Sequence, residues 1–349
     1  MRRAVVAVAS AAVVLTAGTA AAQPAPRDAA IADLGDAETL CTPTDPDPRL
    51  DEISGLAVDG ESLYVVGDSG SDDAVAELGP DCSVRRWIPL PVDPYDVEDL
   101  ARTADGTLWF ADIGDNARRR ETVALISVDP ATGTGTLHRL TYPDGPHDAE
   151  TILMGADGVA VIVTKNLFGP SGIYRTPVPV DQLAEPGPTP LEDIGDLDLT
   201  ERQDAGAALS ESVFTGGAVA ADGSVGAVRS YSHVHLFDLR GRDIAAALTA
   251  GPDVTAELPP QPQGEAVAFG PNGDLLVASE ARGGPLPPIL RIPDVVERFH
   301  EQRSGDGAAS AAPPAESPAE SPAAAPWVLL GGGLLAAAGS FALWRRRRS

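Results

Sequence analysis

Ile53-Ser54-Gly55-Leu56-Ala57-Val58-Asp59-Gly60-Glu61-Ser62-Leu63-Tyr64-Val65-Val66-Gly67 is two apolar runs folded about an Asp-Gly pair. Such a pair between strand-forming runs marks a tight hairpin, because the turn needs positive φ and glycine adopts it without strain. The pattern returns four times: around Asp105-Gly106, Asp157-Gly158, Asp222-Gly223 and Asn272-Gly273. Successive turn glycines are 46, 52, 65 and 50 residues apart, the spacing of propeller blades.

Two further strand-like runs follow each hairpin except the last. Third strands are expected at 74–78, 122–128, 172–178, 233–239 and 288–292, and fourth strands at 84–90, 135–142, 192–197 and 254–258. The fifth repeat lacks its fourth strand, and a spare run at Glu38–Thr42 can fill the vacancy. The expected fold is an all-β β-propeller of five blades over residues 36–303, closed by an N-terminal strand. The longest interval carries Leu183–Phe214 beyond an ordinary connection, which leaves room for a degenerate sixth blade. Cys41 then falls on the closing blade and Cys82 on the outer strand of its neighbour. Both lie in the exported part of the chain, so a disulfide latching the ring is expected.

The ends of the chain read as targeting rather than fold. Met1-Arg2-Arg3, the uncharged run Ala4–Gly18 and Ala20-Ala21-Ala22 form a signal peptide over 1–22, with a linker over 23–35. Residues 304–326 carry a repeated Glu-Ser-Pro-Ala and read as a disordered stalk. Trp327 to Trp344 holds no charge, and 18 residues at helical rise span about 27 Å, enough for a transmembrane helix. Arg345–Arg348, in the tail 345–349, hold the C-terminus in the cytoplasm. The expectation is a propeller outside a bacterial cell membrane on a single-pass anchor. This layout resembles that of actinobacterial surface proteins, without an LPxTG-type motif.

There are 51 Asp and Glu against 25 Lys and Arg, a net charge of -26. That charge repels nucleic acid and excludes a DNA or RNA partner. With 43% hydrophobic residues the chain can still bury a core.

In a propeller, the loop into the first strand and the loop out of the second open on one face around the channel. The acids at those places are Asp51, Glu52, Asp68, Asp96, Glu98, Asp112, Asp115, Asp148, Glu150, Glu265 and Glu280. Glu98, Glu150 and Glu265 hold one repeat position, where the first blade has Ser54 and the fourth is aligned at Gly217. Converging carboxylates need a compensating cation, and oxygen-only ligands suit calcium or magnesium rather than zinc. The metal candidates are therefore Asp68, Glu98, Asp112, Asp115, Glu150, Glu265 and Glu280, with calcium the expected ion. Lys165, the only lysine, falls in the same ring with Arg229 and Arg282. These three are candidates to hold an anionic group of a ligand, or to neutralise the acids directly. His147 is a weaker general-base candidate, and His233 with His235 form at most half a metal site.

The blade starts Glu52-Ile-Ser-Gly-Leu-Ala57, Asp96-Val-Glu-Asp-Leu-Ala101, Asp148-Ala-Glu-Thr-Ile152 and Gln263-Gly-Glu-Ala-Val-Ala268 resemble those of secreted bacterial propellers. They are similar to the phytase-like and esterase-like group, and more loosely to lactonase-type propellers. The resemblance implies channel acids that bind calcium, with Glu98, Glu150 and Glu265 as ligands and Lys165 and Arg229 as anion contacts. The chain departs from that group in its five expected blades and its few basic residues. The functional expectation is a binding or scaffold module for a surface protein, glycan or small molecule, with a divalent cation at the channel mouth. The alternative is a metal-dependent hydrolase of phosphoesters, esters or lactones. A quinone-bearing redox propeller ranks last.

Overall fold

The computed structural model describes residues 30–31, 33–44, 47–68, 70–199 and 211–310. The expected signal peptide, the expected stalk beyond residue 310, and the expected transmembrane segment and basic tail lie outside the described residues. Among the described residues no helix is long and apolar enough to cross a membrane.

Five antiparallel sheets carry the fold, each led by one of the Asp-Gly or Asn-Gly hairpins. Blade one is Ile53–Asp59, Ser62–Gly67, Ala74–Leu78 and Val84–Pro89. Blade two is Val97–Arg102, Leu108–Asp112, Val123–Val128 and Leu137–Thr141. Blade three is Ala149–Met154, Ala160–Thr164, Ser171–Arg175 and Glu192–Leu197. Blade four is Phe214–Val219, Val225–Ser230, His233–Asp238 and Val254–Glu257. Blade five is Gln263–Phe269, Leu275–Glu280 and Ile289–Ile292, completed by Glu38–Cys41. That last strand pairs antiparallel with Ile289–Ile292, Glu38 opposite Arg291, as the missing strand of the fifth repeat required.

The innermost strands touch in a closed cycle, blade one to two, two to three, three to four, four to five and five back to one. Five apolar clusters fill the five gaps between blades. The pleat feeds them, because alternate residues of one strand point to opposite faces. In Ser62–Gly67, Leu63 and Val65 pack towards blade five while Tyr64 and Val66 pack towards blade two. The ring is thus five-bladed, and the residues in the long third interval form no sixth inner strand among those described.

Four features add to or depart from the expected boundaries. Ala30–Ile31, in the expected linker, adds a parallel strand to blade four, and Leu34 is buried in the gap between blades four and five. Thr189–Pro190 adds a parallel strand to blade two. Helix α1 (Ile244–Thr249) is capped by Asp243 and packs in the gap between blades three and four. Helix α2 (Val295–Ser310) runs past residue 303 and buries Val295 and Phe299 against blades four and five.

Cys41 and Cys82 form the expected disulfide, with Cα atoms 5.6 Å apart. Cys82 does not lie on the outer strand of blade one but in the turn before it, at φ 57°, and both residues are buried.

Candidate functional site

Every innermost strand carries a register break near its start. The breaks fall between Ile53 and Gly55, Val97 and Asp99, Ala149 and Thr151, Phe214 and Gly216, and Gly264 and Val267. A bulge of this kind re-aims the side chain of the extra residue. The residues so placed are Ser54, Glu98, Glu150, Thr215 and Glu265. The fourth blade therefore offers Thr215 at this position, not Gly217 as the sequence alignment expected. Ser54 Oγ donates to the Glu98 carbonyl at 2.8 Å and Thr215 Oγ1 to the Gly264 carbonyl at 3.0 Å. Two of the five positions thus bolt a blade to its neighbour, while three carry buried carboxylates.

Asp68, Asp96 and Glu98 bring one oxygen each within 4.8 Å of one another. Gly114 closes over them: a Cβ there would lie 2.2 Å from Glu98 Oε1 and 2.4 Å from Asp96 Oδ2. Only glycine leaves room for the two carboxylates. Glu150, 5% exposed, gives Oε1 to the Lys165 ammonium, and its Oε2 is buried without a partner. Glu265 accepts from Gln263 Nε2 at 2.8 Å. Lys165 also lies 5.6 Å from the Tyr231 ring centre.

Like charges held together in a dry place resist ionising. Burial, and then the Asp68 charge, pushes Asp96 up to about 7. Glu98 is raised well above the carboxylate range by burial and then by Glu150, the strongest charge acting on it. Burial outweighs Lys165 and holds Glu150 at about 7. Glu265 is raised by burial and by Glu150, and Glu280 by burial and then Asp68. Burial would lower Lys165, but the Glu150 charge more than offsets it and the ammonium is held firmly protonated.

Beneath this mouth Asp99, fully buried, stoppers the channel. Its carboxylate accepts from the amides of Leu100 at 2.8 Å, Ile152 at 2.9 Å and Gly217 at 2.9 Å. One side chain thereby ties the inner strands of blades two, three and four. Burial pushes it up to about 8 against the pull of those three amides. At the hairpin-turn end lies a cavity of about 550 Å³, lined by Leu56, Leu100, Ile152 and Phe269 together with polar residues including Arg102, Asp105 and Asp157.

Several expected site residues lie elsewhere. Asp112 accepts from the Asp96 amide at 3.0 Å and pairs with Arg120 at 2.8 Å. Asp115 accepts from the amides of Arg119 and Arg120. Asp115 braces the 112–120 loop and Asp112 ties that loop to the backbone of Asp96, and neither belongs to the trio. Arg229 is fully buried and donates to the carbonyls of Ala266 and Ala278, at 2.7 and 2.9 Å, and to Gln261 at 2.6 Å. It joins blades four and five, and burial lowers it to about 10. Arg282 is exposed in a left-handed turn and makes no ion pair among the described residues. His147 bonds Asp144 and Tyr174, each at 3.0 Å. The His233 and His235 rings stack 6.5 Å apart, and His235 is bonded to Thr255 and the Glu211 carbonyl. From sequence alone Asp96 is legible as a residue of the mouth but not as a ligand, and neither Asp99 nor Gly114 stands out. Asp99 adjoins Glu98, and that acidic pair was the one available signal.

No family model matches the chain, and no curated protein matches it. Among solved structures, a gluconolactonase from Xanthomonas campestris aligns at 12% identity and a TM-score of 0.39, over 68% of this chain and 71% of its own. Kuenenia stuttgartiensis hydrazine synthase aligns at 14% identity and a TM-score of 0.36, over 64% of this chain and 67% of its own.

Proposed function

We propose that this chain is a divalent-cation-binding β-propeller, held outside a bacterial membrane, whose acidic mouth serves as a binding module. The observation that carries the reading is the trio of half-buried Asp68 with buried Asp96 and Glu98, the latter two packed under Gly114, beside a buried Glu150 oxygen that has no partner. Two independent features therefore ask for positive charge at one place. An all-oxygen donor set suits calcium or magnesium. Asp68, Asp96 and Glu98 would hold the ion, with the unpartnered Glu150 Oε2 a further candidate donor, while Lys165 keeps the other Glu150 oxygen. Calcium sites of extracellular modules bind at about 10⁻⁴–10⁻³ M, which fits the expected location. Support for the tether is the sequence of residues 1–22 and 327–349.

The test is a thermal melt of the full chain in detergent, first in chelator and then with calcium or magnesium. A ligand that binds only the folded state stabilises it by about 2.7 kcal/mol at a hundredfold excess over Kd. A saturable rise in Tm that is absent in Glu98→Gln supports the site, and a flat response in the parent protein removes it.

The hydrolase reading draws on one observation, that Lys165 stands at the same mouth as the acids. A bound cation would supply an activated water there. Turnover of p-nitrophenyl phosphate, p-nitrophenyl acetate or a γ-lactone, lost in both Glu98→Gln and Lys165→Ala with the fold intact, would favour it. No turnover of any of them leaves the binding module.

A further inference from the structure

The large apolar side chains left exposed among the described residues are Tyr95, Leu167 and Phe168, and Phe168 is 80% exposed. They belong to loops joined by the segment 112–120. The Arg120 guanidinium lies 4.6 Å over the Tyr95 ring, and Arg118 Nη2 donates to Asn166 Oδ1 at 2.7 Å. Asn166 in turn donates to the Pro170 carbonyl at 2.6 Å and fixes the loop that carries Leu167 and Phe168. Between these loops opens a pocket of about 380 Å³, lined by Asn116, Arg118, Asp148, Lys165, Leu167 and Phe168, with Asn166 beside them.

The pocket is graded. Leu167, Phe168 and Arg118 are exposed at its rim, while Asp148 is buried and Lys165 largely so. A ring with a polar tip matches that gradient, the ring against the rim and the tip on the polar groups below. Around it Arg118 and Arg119 are exposed, and neither makes an ion pair with an acid among the described residues. In a chain of net charge -26 this is a local basic surface, and its complement is acidic. Aromatic residues and arginine are the side chains that dominate protein–protein hot spots. A concave pocket admits a side chain but not a flat bilayer, and an uncharged sugar leaves the arginines unanswered.

We propose that this rim docks an acidic segment of a partner polypeptide, with a tyrosine side chain seated in the pocket. The proposal deepens the binding-module reading and rests on it, but not on the cation. The probe is a random Glu/Tyr copolymer, compared with poly-glutamate, hyaluronate and phosphatidylglycerol vesicles, on the full chain in detergent or in nanodiscs. Each is measured in chelator and in calcium. The copolymer should bind at least about tenfold more tightly than poly-glutamate, and Phe168→Ser and Arg118→Ser should each weaken it about tenfold. Both positions are exposed, so the variants should keep the parent's melt. Equal binding of copolymer and poly-glutamate, tighter binding of hyaluronate or vesicles, or indifference to both substitutions would overturn the proposal. Copolymer binding together with a flat calcium melt would keep the docking rim and remove the cation. A calcium response without copolymer binding would do the reverse.

Discussion

Lys165 holds one oxygen of Glu150 and leaves the other buried with no partner. The single lysine of the chain is therefore a resident counter-charge for a mouth that holds more acid than it can neutralise. Removing one partner of a buried pair strands the other charge and costs about 3 kcal/mol or more. Lys165→Met should lower Tm in chelator, and calcium should recover much of that loss. Equal Tm values for parent and variant in chelator would show that Glu150 needs no compensation.

The raised carboxylates set the pH response. Asp96 and Glu150 sit at about 7 in the folded chain, and Glu98 and Glu265 are raised as well. In the unfolded chain such groups titrate near 4. Between roughly pH 4 and 7 the folded state thus binds protons that the unfolded state has released, and stability rises as pH falls through that window. In chelator Tm should be higher at pH 5.5 than at pH 8, by about 5 °C. Calcium should shrink the difference by supplying the missing charge at high pH. A chelator profile that is flat, or that rises towards pH 8, would contradict the buried repulsion. Further down, Asp238, lowered to about 2 first by its Arg240 hydrogen bond, acts in the opposite sense. Its contribution is lost below about pH 4.

Gly114 and Gly264 test two close approaches. A Cβ at Gly114 would meet Glu98 Oε1 at 2.2 Å, and one at Gly264 would meet Arg229 Nη2 at 1.8 Å. Gly114→Ala should weaken the calcium response while the fold survives. Gly264→Ala should destabilise by about 2 kcal/mol, since the arginine it displaces leaves buried carbonyls unpaired. A calcium titration followed by denaturant melts separates the two effects. An unchanged calcium midpoint in Gly114→Ala would remove the trio as a site.

Arg229→Leu should cost about 3 kcal/mol, because two buried carbonyls and Gln261 lose their donor. It should nonetheless leave the calcium midpoint unchanged. A shifted midpoint with undiminished stability would return Arg229 to the mouth.

The disulfide closes a loop of 41 residues. Chain entropy gives such a loop about 4 kcal/mol. The double variant Cys41→Ser, Cys82→Ser should lose up to that amount in a urea titration, with the slope altered by a looser unfolded state. A loss below about 1 kcal/mol would mean that sheet hydrogen bonds close the ring unaided.

The blades were legible because their signals are local. Asp59-Gly60 and its four counterparts fix turns within a few residues, and the vacancy after Ile292 called for a distant strand. The site was half legible. Glu98, Glu150 and Glu265 repeat, so their shared position could be read, but a bulge inserts one residue and shifts everything after it. In blade four the run Phe214-Thr-Gly-Gly-Ala-Val219 carries too little side-chain pattern to reveal that shift, and Gly217 was aligned where Thr215 stands. Direction was the other hidden quantity. Arg229 ends a strand at the mouth, yet its guanidinium turns into the gap between blades. Asp115 lies in an acidic loop, yet the loop's own amides use it. Asp99 is one residue from Glu98, and only the bulge decides that one faces the mouth and the other stoppers the channel.

The strand Glu38–Cys41 waits on a partner about 250 residues further along, since Glu38 bonds Arg291 across 253 positions. A contact so distant is slow to find by diffusion of the chain ends. Cys82, by contrast, is 41 residues away and is made with blade one. If sulfur chemistry joins the pair early, the first-made strand is parked beside blade one long before the fifth repeat emerges. Ring closure is then the docking of a late hairpin into a slot already prepared, so an oxidant present while the chain folds would act as an assembly aid as well as a brace.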